Sequence, residues 1–215
     1  MYLAPRYRID RKHLGMIYLL VLIFGLYLGP QFFYFFGPWG SGYTFWESLL
    51  KAINPLSTGR VYVGGLVFTS ISIAAYLKIR NLDFFRYADF LVIGIPIAQF
   101  VGRIGCLFNG CCYGIETSVP WAILHDGLMT HPTQIYLALN GLFLFGLMLY
   151  LSRKDLQKGT LFMLYFMLYS ISRFFIDFFR SYDWHFLGLS FTQVICIFVF
   201  LFFGILFWKK KKLIK

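Results

Sequence analysis

Charge is scarce in this chain: 13% of its 215 residues are Asp, Glu, Lys or Arg, and only nine of those are acidic. So little solvating surface beside 59% hydrophobic residues excludes an ordinary soluble domain. Lysine and arginine are absent between Arg103 and Arg153. Cysteine is nearly absent as well, with four residues. The spacing of Cys106, Cys111 and Cys112 lacks the two-residue gap favoured at tetrahedral zinc sites, so no metal or other cofactor is expected. Repeats, low-complexity tracts and linkers are missing too, which predicts one domain over residues 1–215.

What remains is apolar sequence in long runs. Leu14–Phe36, Val61–Leu77, Asp89–Phe108, Thr133–Leu151, Thr160–Arg180 and Leu187–Trp208 each suit one helical crossing of about 20 residues. The expected fold is an all-α membrane protein, a polytopic bundle of about six transmembrane helices. The first run follows a basic N-terminus, is too long for a signal-peptide core and lacks a small-residue cleavage pattern, so it reads as a retained span.

The net charge of +11 would suggest a nucleic-acid partner in a soluble protein. Here the basic residues lie between apolar runs, and the positive-inside rule accounts for them without nucleic acid. With six crossings, fifteen of the twenty basic residues fall on one side: Arg6 to Lys12, Lys78 to Arg86, Arg153 to Lys158, and Lys209 to Lys215. Both termini are then cytoplasmic. The opposite loops carry only Lys51 and Arg60. They comprise Gly37–Gly59, in which Tyr43–Ile53 suits a short interfacial helix, and Asn109–Pro132, which holds Glu116, His125, Asp126 and His131. Chemistry is expected on that outer side.

The run Gly102–Gly114 places Arg103 late in an apolar stretch, followed by glycines and a polar turn with three cysteines. A charge inside a membrane segment costs roughly 3 kcal/mol or more at mid-depth, so it faces a cavity or a partner. At about 1.5 Å per residue, Arg103 lies about 21 Å above the start of span three and Arg173 about 20 Å above the start of span five. Two like charges at one level call for an anion between them, and guanidinium groups match a phosphodiester by paired hydrogen bonds. The other reading of these arginines is snorkelling to the interface or a local ion pair, and both readings stay open for Arg180 at the span's end.

Tyr169, Arg173 and Asp177 recur at four-residue spacing with Arg180 three further on, which predicts one face of span five. Asp177 can orient either arginine; Tyr169 can donate to a phosphate or fill the bundle. Gln99, Arg103 and Cys106 share a face of span three. His131-Pro132-Thr133-Gln134 opens span four, where proline suits the first turn and His131 is either a cap or a proton acceptor. Positive charge beside Cys106 favours a thiolate, against plain apolar packing as the alternative.

Three blocks carry a resemblance to the prolipoprotein diacylglyceryl transferase family. They are Gly102-Arg103-Ile104-Gly105 with Asn109, Gly110 and Gly114; His131-Pro132-Thr133-Gln134-Ile135-Tyr136; and Tyr169 with Arg173 through Arg180, then Leu189-Ser190 and Gln193. Gly64-Gly65 resembles that family's histidine-glycine-glycine segment. The resemblance implies a bacterial plasma-membrane enzyme with its active site near the outer leaflet. It would move diacylglyceryl from phosphatidylglycerol to the thiol of a lipobox-containing prolipoprotein. Arg103, Arg173, Tyr169 and, as base, His131 would be catalytic; Asn109, Gly110, Gly114, Gln134, Asp177, Arg180, Gly64 and Gly65 would bind substrate. The chain departs from the family pattern at Val63 (histidine), Cys106 (asparagine), Cys111 (glutamate) and Leu137 (glutamate), and the family's extra first span and larger outer domain are not matched. These departures leave a divergent acceptor, with Cys106 or Cys111 as a transient nucleophile, or a non-catalytic phospholipid-binding protein as alternatives.

Overall fold

The computed structural model describes residues 7, 9–29, 62–180, 185–186 and 188–212. The expected interfacial helix Tyr43–Ile53, Lys51 and Arg60 lie outside the described residues, as does the end of the first span beyond residue 29. The chain forms two compact units, Met1–Phe84 and Phe85–Lys215, and each is described by itself.

In the first unit α1 (Arg11–Leu20) starts at Asp10, whose carboxylate accepts a hydrogen bond from the Lys12 amide at 3.0 Å. The helix widens into a π-helical segment over Val21–Leu28. Helix α2 (Tyr62–Ile79) packs against it in the antiparallel sense. His13 Nδ1 meets the Tyr76 hydroxyl at 2.8 Å at one end. At the other, a Cβ on Gly29 would lie 2.6 Å from the carbonyl oxygen of Gly64. Glycine on both sides is what lets these backbones approach, the usual small-residue device between membrane helices. Gly64 and Gly65 are buried in this contact region.

The second unit contains α3 (Phe84–Phe108, from Phe85 inward), α4 (Thr133–Ser152), α5 (Thr160–Ile176) and α6 (Phe191–Lys212). Helices α5 and α6 pack along their length, and α4 packs on α5. Gly141 of α4 fits against Pro96 and Phe100 of α3; a Cβ there would lie 2.8 Å from the Pro96 carbonyl oxygen. Among the described residues, five stretches are long and apolar enough to cross a membrane: Arg11–Leu28, Phe84–Phe108, Thr133–Ser152, Thr160–Phe179 and Phe191–Lys210. A shorter apolar stretch, Gly64–Ile79, accompanies them. The architecture is all-α and polytopic.

Three boundaries differ from expectation. Helix α3 begins at Phe84, five residues before the expected Asp89. Asp89 is buried, and its carboxylate accepts hydrogen bonds from the Gly159 amide and, at 2.8 Å, from the Phe162 amide. A charge that looks like the end of an apolar run is instead an internal cap for the free amides of α5. Helix α5 ends at Ile176, tightens into a 3₁₀ turn over Asp177–Phe179, and leaves Arg180 extended at φ −96°, ψ 142°. Helix α6 begins at Phe191, because Leu189–Ser190 (β4) pairs with His185–Phe186 (β3) in a small antiparallel hairpin.

Between α3 and α4 a second hairpin joins β1 (Ile123–His125) to β2 (Leu128–Thr130). Its turn is Asp126-Gly127, with φ of 47° and 82°. Positive φ at both central residues is the type I′ geometry that Asp-Gly favours. Basic residues gather at the opposite end of this unit. Arg86 opens α3, Arg153 to Lys158 link α4 to α5, and the Lys210 ammonium of α6 lies over the Phe85 ring at 5.2 Å.

Candidate active site

The loop end of the second unit brings together α3, the segment 109–132, the start of α4 and the end of α5. Gly114 is its junction. Its amide donates to the His131 carbonyl at 2.9 Å, the Ile115 amide donates to the Phe179 carbonyl at 3.0 Å, and the His131 amide donates to Ile115 at 3.0 Å. A Cβ at Gly114 would fall 2.1 Å from the Phe179 carbonyl oxygen and 2.8 Å from His131 Cβ. Glycine is therefore demanded by packing at Gly114, and Arg180 pairs with it as an isolated bridge.

The cysteine turn is pinned from α4. Thr133 Oγ1 donates to the Cys112 carbonyl at 2.7 Å, and Gln134 Nε2 donates to the Cys111 carbonyl at 2.7 Å. Both side chains are fully buried. Gln134 thus holds a loop carbonyl through its amide nitrogen, while its Oε1 is buried with no hydrogen-bond partner. Asn109 and Gly110 are exposed at the turn itself, and Gly110 has a φ of 62°.

His131 is buried against Phe179, with ring centroids 4.9 Å apart. Its Nδ1 lies 3.0 Å from the Tyr136 hydroxyl, which accepts a hydrogen bond from Trp121 Nε1 at 2.7 Å. The Nδ1–phenol contact can form with either partner donating, because the hydroxyl oxygen can accept from the indole and the imidazole together. In either tautomer it is Nδ1 that the phenol engages. Trp121 gives no signal in the sequence beyond its polar ring atom, and Tyr136 stands there only as the end of the block that begins at His131.

Arg173 and Asp177 are both buried and form an ion pair at 2.9 Å, one helical turn apart. The other oxygen of Asp177 accepts from the Ser190 hydroxyl at 2.9 Å. Ser190 also caps α6. Its Oγ accepts from the Gln193 amide at 3.1 Å, and its own amide donates to Gln193 Oε1 at 2.8 Å, a reciprocal capping box. One rigid chain of contacts therefore fixes the Arg173 guanidinium to the start of α6. The expectation that Arg180 shares this face fails: the 3₁₀ turn carries it off the helix, and the carboxylate of Asp177 is given to Arg173. Tyr169, one turn below Arg173, is half-buried and stacks on Tyr165 at 5.9 Å.

Arg103 differs. It is half-buried in the last turns of α3 and has no hydrogen-bond or ion-pair partner among the described residues. Asp89 of α3 accepts from the first amides of α5, so the two helices share a reference level at the basic end. Fourteen residues separate Asp89 from Arg103 and thirteen separate Thr160 from Arg173. By helical rise each arginine lies about 20 Å along its own helix from that level. Gln99 Nε2, one turn below Arg103, and Asn140 Nδ2 on α4 are buried amide donors with no hydrogen-bond partner. Asn140 was missed in sequence, although a carboxamide inside an apolar run was the available signal. Cys106, Cys111 and Cys112 are half-buried free thiols, and their sulfurs all lie within 4.8 Å of one another.

These features define a polytopic membrane protein whose second unit holds a cluster of buried polar side chains at its loop end. The pattern of the prolipoprotein diacylglyceryl transferase family matches residues 1–209, and the chain belongs to that family. It is 34% identical over 152 residues to a phosphatidylglycerol–prolipoprotein diacylglyceryl transferase of Clostridioides difficile, covering 70% of this chain and 61% of that protein. A like-named protein of Campylobacter lari is 30% identical, with 82% of this chain and 65% of the relative covered. For phosphatidylglycerol–prolipoprotein diacylglyceryl transferase 2 of Clostridium perfringens the figures are 32%, 91% and 77%. The chain thus spans less than two thirds of the length of the first two of these relatives.

Proposed function

We propose that this protein is a phospholipid-dependent transferase of the bacterial plasma membrane. It moves diacylglyceryl from phosphatidylglycerol to the cysteine thiol of a lipobox-containing prolipoprotein, at a site near the outer leaflet. The names of its relatives support the reaction. The observation that carries the site is the contrast between its arginines. Arg173 is neutralised by Asp177 at 2.9 Å, whereas Arg103 has no partner among the described residues. The pair with its carboxylate then sums to one positive charge, which matches the single negative charge of a phosphodiester.

In this reading Arg103 and Arg173 hold the phosphate, with Asp177 and Ser190 positioning Arg173. As the carbon–oxygen bond breaks, negative charge accumulates on the departing phosphate, and donors already aimed at it lower the barrier. Tyr169, Asn109, Gln99 and Asn140 offer further donors for the headgroup. Arg180 and Gly114 join the loop to the end of α5, and Gln134 holds the turn that faces the acceptor. His131, engaged by Tyr136 at Nδ1, anchors the loop and offers Nε2 as the base nitrogen. Gly64 serves the helix contact of the first unit with Gly65 buried beside it, and a binding role for the two rests on family likeness alone.

Purified full-length protein in neutral detergent, given labelled phosphatidylglycerol and a lipobox peptide, tests this. The expected product is a thioether-linked diacylglyceryl peptide plus glycerol phosphate, lost when the peptide cysteine is serine. Lipid binding without any product would replace the transferase by a lipid-binding role.

A further inference from the structure

We propose that Cys106, Cys111 and Cys112 form a three-thiolate zinc site whose fourth ligand is the acceptor thiol. The proposal rests on the transferase reading above and gives that reaction its nucleophile. The three sulfurs lie within 4.8 Å of one another and none is in a disulfide. Tetrahedral zinc–sulfur bonds of about 2.3 Å set sulfurs about 3.8 Å apart, so closing on a metal takes movements of roughly 1 Å or less. The backbone is shaped to this end. Cys106 sits in the last turn of α3, Gly110 at φ 62° reverses the chain, and Cys112 at φ 66° holds a left-handed conformation that side chains rarely adopt. Thr133 and Gln134 then clamp the carbonyls of Cys112 and Cys111 at 2.7 Å each, from side chains that are themselves fully buried. This fold-back is why C-x4-C-C, unlike a zinc motif along the sequence, becomes one in space.

Three protein ligands with a fourth position left for substrate is the pattern of catalytic rather than structural zinc. Arg103 lies one turn below Cys106 on α3, about 4.5 Å along the axis, so a phosphate held there adjoins the metal's fourth position. A thiol that coordinates zinc is deprotonated outright. The acceptor R–SH enters as the fourth ligand and its proton passes to water. A sulfur lone pair attacks the diacylglyceryl carbon; the S–C bond forms as the C–O bond breaks, and that electron pair leaves on the phosphate oxygen of glycerol phosphate. The neutral thioether is a poor zinc ligand, and water displaces it.

The full chain, purified anaerobically in neutral detergent, is titrated with Co²⁺ as a spectroscopic stand-in for zinc. One equivalent should bind with thiolate-to-cobalt charge-transfer and tetrahedral d–d bands. A lipobox peptide bearing cysteine should shift these bands, and the serine peptide should not. Cys106→Ser, Cys111→Ser and Cys112→Ser should each weaken binding by at least about tenfold, while Cys196→Ser, on α6, should leave it unchanged. Absence of thiolate bands, or a disulfide among the three in protein taken directly from membranes, overturns the site. Full turnover by metal-stripped protein or by the triple serine variant also overturns it, and leaves the transferase reading standing. Cobalt bound by three thiolates with the peptide thiol joining, but no thioether formed from phosphatidylglycerol, upholds the metal site and removes the transferase reading.

Discussion

The two ends of the Phe85–Lys215 unit each bury an aspartate, and the two are used in different ways. Asp89, at the basic end, gives both oxygens to backbone amides at the start of α5. It is a helix cap supplied from a neighbouring helix, and its work ends with holding α3 and α5 in register. Asp177, at the loop end, gives one oxygen to a guanidinium and the other to a hydroxyl that caps α6. It ties a charged side chain to the frame. The same residue type at the same degree of burial is architectural where its partners are backbone and positioning where its partner is a cation that can also meet substrate. Buried carboxylates in membrane helices are thus read from their partners, not from their presence.

Replacing Asp177 should have the largest effect. Asp177→Ala leaves the buried Arg173 charge without its carboxylate, a change that costs about 3–5 kcal/mol when a buried pair is broken. Unfolding in detergent should shift accordingly, and turnover should vanish with it. Next comes Arg103→Lys, expected to lower turnover by about 10²–10³-fold, because a point charge does not reproduce the paired contact with phosphate. Its unfolding midpoint should stay that of the wild type, since Arg103 has no partner among the described residues to lose. This split between activity and stability is the mirror image of the third case. Asp89→Ala should destabilise by about 1–3 kcal/mol through amides left bare in the interior, yet keep the turnover of each folded molecule. The smallest change is Ser190→Ala, a lost N-cap worth about 1 kcal/mol, accompanied by a measurable fall in turnover as Asp177 loses one of its two holds. If Asp89→Ala reduced turnover per folded molecule as much as Arg103→Lys, the contrast between the two ends would be wrong.

Much of this was legible in the sequence. Long apolar runs marked the crossings, and the position of lysines and arginines marked the basic end. The thirteen- and fourteen-residue distances to Arg173 and Arg103 already suggested a common height. Asp89, the expected start of span three, lies inside a helix that begins at Phe84, and it is the residue that touches the beginning of α5. Other features were written locally and overlooked. Asp126-Gly127 spells a type I′ hairpin, and Ser190 with Gln193 spells a capping box, although both were noticed only as polar loop or family likeness. The rest was not local at all. Arg180 leaves the helical face because the end of α5 tightens to pair with Gly114 sixty-six residues earlier, and no periodicity reports such a contact. The cysteine cluster depends on two left-handed residues, one of them a cysteine, which spacing rules do not anticipate.

Binding of a short-chain phosphatidylglycerol to the purified full chain tests the account most directly, measured in neutral detergent for the wild type and for Arg103→Gln. A tenfold or greater loss of affinity at an unchanged unfolding midpoint is predicted, since one lost charge-assisted contact is worth about 1.5–3 kcal/mol. Equal affinity in the two proteins would contradict the assignment of Arg103 to the phosphate, and with it the charge balance on which the proposed site depends.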